Sequence, residues 1–199
     1  MPKGHKRTRE AIVSICARLS IRGLVAGTSG NVSVRLADGT ILVTPTGLSL
    51  RALRPNQLAH IDAAGAYVAE GPRATSELPL HLAAYRARAD ICCVVHTHPT
   101  ACTAWSKSGA LFPLDTVGAA ESLGPIAFVA YRRPGSAELA EACALALGGA
   151  DAVLMERHGL SAVAGDLERA FEITDLAEQT AAIELGVAML AKVRPTGEA

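Results

Sequence analysis

The sequence predicts an α/β fold whose sheet is not purely parallel. Strand-length apolar runs interleave with segments of helical period. Two hairpin-like pieces call for antiparallel pairing. The 199 residues, 50% of them hydrophobic, suffice for one domain with a sizeable core. No repeat, linker or low-complexity block divides residues 1–199. Only 4% are aromatic, so the core is expected from Ala, Val, Leu and Ile.

The first helix is expected from about Lys6 to Ser20, where Ile12, Val13, Ile15, Cys16 and Leu19 share helical spacing and Gly23 is a stop. The basic start, Lys3 to Arg9, reads as its solvated first turn. Gly27-Thr28-Ser29-Gly30-Asn31 is loop chemistry, and Val32–Arg35 with Ile41–Val43 makes a hairpin across Asp38-Gly39. Thr44-Pro45-Thr46-Gly47 is a turn, and Leu58–Ile61 and Ala66–Val68 are weaker strands. Thr75 or Ser76 is placed to cap a helix through Glu77, His81 and Tyr85. Ile91–Thr97 and Ile126–Ala130 read as strands, and Ser136 caps a helix to about Leu147. Ala152–Met155 and Leu160–Val163 are strands broken at Arg157-His158-Gly159. Asp166 opens a long helix to about Ala191, and Arg194–Ala199 reads as a frayed tail.

Formal net charge is zero, which points away from nucleic acid and anionic membranes as partners. Five scattered cysteines without a CxxC suit reduced, mostly buried thiols rather than a disulfide framework or zinc knuckle. With no membrane-length apolar stretch and no signal-peptide pattern, a soluble cytoplasmic protein is expected.

The chemistry concentrates in a few side chains. His96 and His98 close the apolar run Ile91–Val95. Residues i and i+2 of a strand point to one face, roughly 6–7 Å apart at Cα, so both imidazoles can reach one metal. An isolated H-x-H equally fits a hydrogen-bonded surface pair. His158 strengthens the metal reading, because a buried strand, then His, then Gly159, aims a rigid ligand at a site. Three histidines are what a catalytic zinc takes while keeping an open position. His81, four residues after Glu77, reads as a structural hydrogen-bonding residue rather than a ligand.

Thr75-Ser76-Glu77 taken alone reads as a capping pattern. The loops at 27–31 and 44–47 taken alone are ordinary turns, and no GK[ST] marks a Walker loop. Together with Thr75 and Ser76 they can make a phosphate pocket of backbone N–H groups and hydroxyls without lysine or arginine.

In this order the blocks "GTSGNVSVR" (27–35), "VTPTGLS" (43–49), "TSELPLH" (75–81), "VVHTHPTACTA" (94–104), "PGSAELAE" (134–141) and "ERHGL" (156–160) resemble the class II aldolase/adducin family, nearest its fuculose-1-phosphate aldolase branch. The likeness runs from about Ile12 to Ala191. It implies a three-layer α/β/α domain around a mostly antiparallel mixed sheet, assembled as a homotetramer with interfacial active sites. It also implies zinc on His96, His98 and His158, with Mn2+ or Co2+ as other metals for the same donors, and Glu77 as catalytic acid/base. Asn31, Thr46, Gly47, Thr75 and Ser76 fall where the family holds substrate phosphate, and Thr28, Ser29 and Gly30 shape the first of those loops.

The implied reaction is cleavage of a ketose 1-phosphate, resembling L-fuculose 1-phosphate, to dihydroxyacetone phosphate and an aldehyde through a metal-stabilised enediolate. Two departures stand out. The family aldolases use a tyrosine after the H-x-H strand, and residues 111–118 contain none. They also carry a longer C-terminal tail than a chain of 199 residues provides. A decarboxylase, dehydratase or pentulose-phosphate epimerase of the same family is the alternative enzyme. An adducin-like assembly module without activity fits less well, because all three histidines and Glu77 are present.

Overall fold

A computed structural model describes residues 5–110 and 112–193. The expected tail, 194–199, lies outside the described residues, as do Lys3 and Gly4 of the basic start.

One seven-stranded sheet organises the chain, in the order β3-β2-β1-β4-β7-β6-β5. The strands are β1 (Asn31–Arg35), β2 (Ile41–Val43), β3 (Ala59–Ile61), β4 (Cys93–Thr97), β5 (Ile126–Val129), β6 (Ala152–Met155) and β7 (Gly159–Ala164). Every neighbouring pair is antiparallel except β5 with β6 at one edge. The expected mixed, mostly antiparallel sheet is therefore present.

Side-chain alternation along the strands splits the core between two faces. Val94 of β4 packs with Leu80 and Ala84 of α2 (Leu78–Ala87) and Leu139 and Cys143 of α5 (Ala137–Ala146). Cys93 and Val95 point the other way, to Ile12, Ile15 and Leu19 of α1 (Lys6–Ile21) and Phe171 of α6 (Leu167–Val193). A further cluster on that side joins Leu160 and Ala162 to Cys102 of α3 (Thr100–Ser106), Ala119 of α4 (Val117–Ser122) and Ile173 of α6. The result is the three-layer α/β/α arrangement.

Caps act largely where the residue types predict. Ser136 Oγ accepts from Leu139 N at 3.1 Å, and Asp166 Oδ1 accepts from Arg169 N at 2.8 Å. Four expectations change. Val68 and its neighbours form only an isolated bridge, Ile61 with Tyr67, rather than a strand. Helices α3 and α4 were not expected from periodicity, because each is two turns or fewer. Glu77, not Thr75 or Ser76, takes the N-cap position of α2, and Thr75 Oγ1 instead accepts from Glu77 N at 3.2 Å. Arg9 is not solvated: it is 6% exposed and donates to the carbonyls of Pro55 and Leu58.

Candidate metal centre and active site

Three segments meet at one end of β4. His96 follows Val94 on the face toward α2, directly opposite Asn31 of β1 and Ser161 of β7 in register. His98 lies one residue past the end of β4, before Pro99 opens α3. His158 comes from the turn between β6 and β7, where Arg157 adopts φ 57 and His158 N donates to Met155 O at 3.1 Å. A Cβ on Gly159 would stand 2.2 Å from Thr97 O and 3.0 Å from the His98 ring. Glycine is therefore required there for β7 to approach β4 this closely.

The expected histidines come together. Their rings are 4.8, 4.9 and 5.0 Å apart at mutual angles of 67–68°, close to threefold symmetry. Glu77, at the head of α2, adds its carboxylate, with Oε2 2.9 Å from His96 Nε2 and Oε1 3.1 Å from His158 Nε2. One donor atom from each of Glu77, His96, His98 and His158 lies within 4.8 Å of all the others. Among the described residues no other group of His, Cys, Asp or Glu converges this way.

The donor chemistry fits a cation. His96 Nδ1 is 3.0 Å from Leu160 O, an acceptor, so Nδ1 is the donor nitrogen and Nε2 is the one turned to the cluster. His96 Nε2 faces Glu77 Oε2 at 2.9 Å and His98 Nε2 at 2.9 Å. Electron pairs that close together repel unless a proton or metal ion sits among them. Glu77 Oε1 is buried and lacks hydrogen-bond geometry with any donor, despite its 3.1 Å approach to His158. Burial, and then the charges of His96 and His158, push His98 down to about 4, so at neutral pH it is a neutral imidazole able to ligate. Burial acts to raise Glu77, but the His96 charge and the adjacent imidazoles outweigh it and hold the carboxyl well below the usual carboxylate range.

Beside this cluster opens a pocket of about 290 Å³. All the expected phosphate residues line it: Thr28, Ser29, Gly30, Asn31, Thr46, Gly47, Thr75 and Ser76, next to Glu77, His98 and His158. No lysine or arginine is among the lining residues. Gly30 and Gly47 have φ 78 and 75, the left-handed region that turns their loops toward the pocket. Pro45 and Pro134 also line it and were not singled out as site residues. Next to Pro134, Gly135 has φ 74 and its Cβ position lies 3.0 Å from Ser76 O, so the glycine was the available signal.

His81 is not a donor to the cluster. Its Nδ1 meets Ser33 Oγ at 2.6 Å and its Nε2 meets Asn31 Oδ1, the structural role expected of it.

Comparison with known proteins agrees with this geometry. The model of the Class II Aldolase and Adducin N-terminal domain matches residues 10–185. This chain belongs to that family. The L-fuculose phosphate aldolase of Escherichia coli K12 is 38% identical over 175 residues, 87% of this chain and 80% of that protein. The 5-methylthioribulose-1-phosphate/5-deoxyribulose-1-phosphate aldolase of Rhodospirillum rubrum is 35% identical over 185 residues, 90% of this chain and 82% of that protein. The solved structure of YgbL from Klebsiella pneumoniae superposes with a TM-score of 0.85 at 30% identity, covering 91% of this chain and 89% of that one. The chain is accordingly an enzyme, a lyase of the class II aldolase type, with a cluster able to hold a metal ion. No helix among the described residues is long and apolar enough to cross a membrane.

Proposed function

We propose that the protein is a zinc-dependent aldolase. It cleaves a ketose 1-phosphate resembling L-fuculose 1-phosphate to dihydroxyacetone phosphate and an aldehyde. The observation that carries this is the convergence of three imidazoles and one carboxylate beside a small-residue pocket. His96, His98 and His158 would hold the ion, which when bound polarises a carbonyl oxygen as a Lewis acid.

The chain's own residues supply the rest. Glu77, 8% exposed, takes or returns the proton at the carbon beside the carbonyl. Among the described residues it is the one carboxylate that reaches the histidine cluster. The backbone N–H groups of Thr28, Gly30 and Gly47 and the hydroxyls of Thr46, Thr75 and Ser76 bind the phosphate. That anchor provides binding energy remote from the reacting carbons. Residues 1–199 act as one such domain.

The lack of a tyrosine in residues 111–118 favours one second reading: a family lyase or epimerase acting on another sugar phosphate with the same metal and Glu77. The proposed setting is cytoplasmic, and the proposed assembly is a homotetramer with interfacial sites. The exposed apolar side chains of Ile183, Val187, Met189 and Leu190 on α6 support self-association.

The test is release of dihydroxyacetone phosphate from a panel of ketose 1-phosphates by zinc-reconstituted protein, followed with a coupled dehydrogenase. Release from at least one supports the aldolase. Release from none, with the ion bound, would move the assignment to the second reading.

A further inference from the structure

Behind Glu77 the buried polar side chains form one continuous hydrogen-bonded chain. Tyr85 Oη lies 2.7 Å from Ser33 Oγ, and Ser33 Oγ lies 2.6 Å from His81 Nδ1. His81 Nε2 meets Asn31 Oδ1, and Asn31 Nδ2 donates to Glu77 Oε2 at 3.0 Å. Two periodicities build it. Asn31 and Ser33 alternate along β1 on the face toward α2, while His81 and Tyr85 are i and i+4 on α2. Ser33 and His81 are fully buried, and Asn31 and Tyr85 are nearly so.

The direction of every proton in this chain follows from its end. Glu77 Oε2 accepts from the Asn31 amide nitrogen, which turns the Asn31 oxygen to His81. His81 must then carry its proton on Nε2 and accept at Nδ1. Ser33 must give its hydroxyl hydrogen to Nδ1, and so is left to accept from Tyr85. The other acceptor for Tyr85, the Cys92 carbonyl, is longer at 3.4 Å. Each donor therefore points toward Glu77. Burial, and then the charge of His96, push His81 down to about 3, which keeps it in the neutral form this order requires.

Resting on the reading of Glu77 as the proton-transfer group, we infer that His81 is a positioning residue for Glu77, acting through the Asn31 amide. Without the Nε2–H, Asn31 loses the contact that fixes its orientation and can present its oxygen to the carboxylate. Glu77 would then lose its hydrogen bond and gain a repulsive neighbour. Ser33 and Tyr85 act one and two links further back, holding the His81 tautomer.

The first test needs neither substrate nor metal. Two-bond 1H–15N correlation spectra of metal-free wild-type protein read the His81 tautomer directly. The Nε2–H form is expected, and the Nδ1–H form would overturn the chain. In zinc-loaded protein, His81→Leu is expected to slow hydrogen exchange on dihydroxyacetone phosphate by about 100-fold, the loss that a small misplacement of a reacting group brings. Zinc content should stay unchanged. His81→Gln can still donate to Asn31 and accept from Ser33, so it should recover most of the rate. Equal losses in both variants, or an unchanged rate in folded, zinc-loaded His81→Leu, would refute the positioning role. Should His81→Leu not fold, His81→Gln must stay fast and Ser33→Ala must slow, and the reverse order contradicts the inference. A wild type that exchanges nothing overturns the aldolase reading instead, and the tautomer then still decides for or against the chain.

Discussion

On one side of the pocket, His96, His98, His158 and Glu77 gather their polar atoms within 4.8 Å of one another. On the other, Thr28 to Asn31, Thr46, Gly47, Thr75 and Ser76 offer hydroxyls, amides and backbone N–H groups with no cationic side chain. The first side is built from strand ends and a helix head, each side chain irreplaceable in kind. The second is built from turns, where backbone conformation does most of the binding. Damage to the first should therefore be all-or-none, and damage to the second graded.

The largest effect is expected for His96→Ala. Removing one of three imidazoles leaves too few ligands for a tight site, so metal analysis of dialysed protein should find zinc lost, and activity with it. Full zinc retention would remove His96 from the ligand set. Glu77→Gln should keep metal and fold but lose about 10²–10⁴-fold in proton transfer, read as exchange on dihydroxyacetone phosphate. Gly159→Ala sharpens the strand-end claim, since its Cβ would stand 2.2 Å from Thr97 O. Overpacking there should cost about 1–3 kcal/mol in thermal or denaturant unfolding, with weaker metal retention; unchanged stability would mean the β4–β7 approach is not tight.

On the graded side, Thr46→Val or Ser76→Ala removes one neutral hydrogen bond, about 0.5–1.5 kcal/mol. KM should rise roughly three- to tenfold on that basis with kcat held. A fall in kcat alone would place these residues at the reacting carbons instead. A pH-dependent effect concerns His81, which burial pushes down from its ordinary value near 6.5 to about 3. Between those values the unfolded chain binds more protons, so stability falls as pH falls. Metal-free His81→Gln should lose this part of the acid sensitivity, at most about 1.4 kcal/mol per pH unit. An identical slope in both proteins would mean His81 is not buried as a neutral ring.

The same contrast governs what was legible in the sequence. Strands β1, β2, β4, β6 and β7 follow from alternation in β1, from apolar runs in the others, and from Asp38-Gly39 and His158-Gly159 as breaks. The imidazoles were legible in combination: H-x-H alone fits a surface pair equally well, and His158-Gly159 at the end of a second buried strand turned the reading to a metal site. The turns could only be read together, since each alone is common. Helices α3 and α4 escaped notice because they are too short for a period and depend on packing against α6. The use of Arg9 was hidden too: its partners are carbonyls of Pro55 and Leu58, which carry no side-chain signature. Asn31 was legible as a pocket residue, but its bond to Glu77 depends on β1 lying beside β4.

The central claim is that the histidine cluster and Glu77 work as one metal-assisted proton-transfer site. The most direct test incubates zinc-loaded protein with dihydroxyacetone phosphate in heavy water and follows the hydroxymethyl carbon by NMR. Deuterium uptake that disappears in Glu77→Gln and in metal-free protein is the predicted result. No uptake by folded, zinc-loaded wild type, or uptake that survives Glu77→Gln, would contradict it.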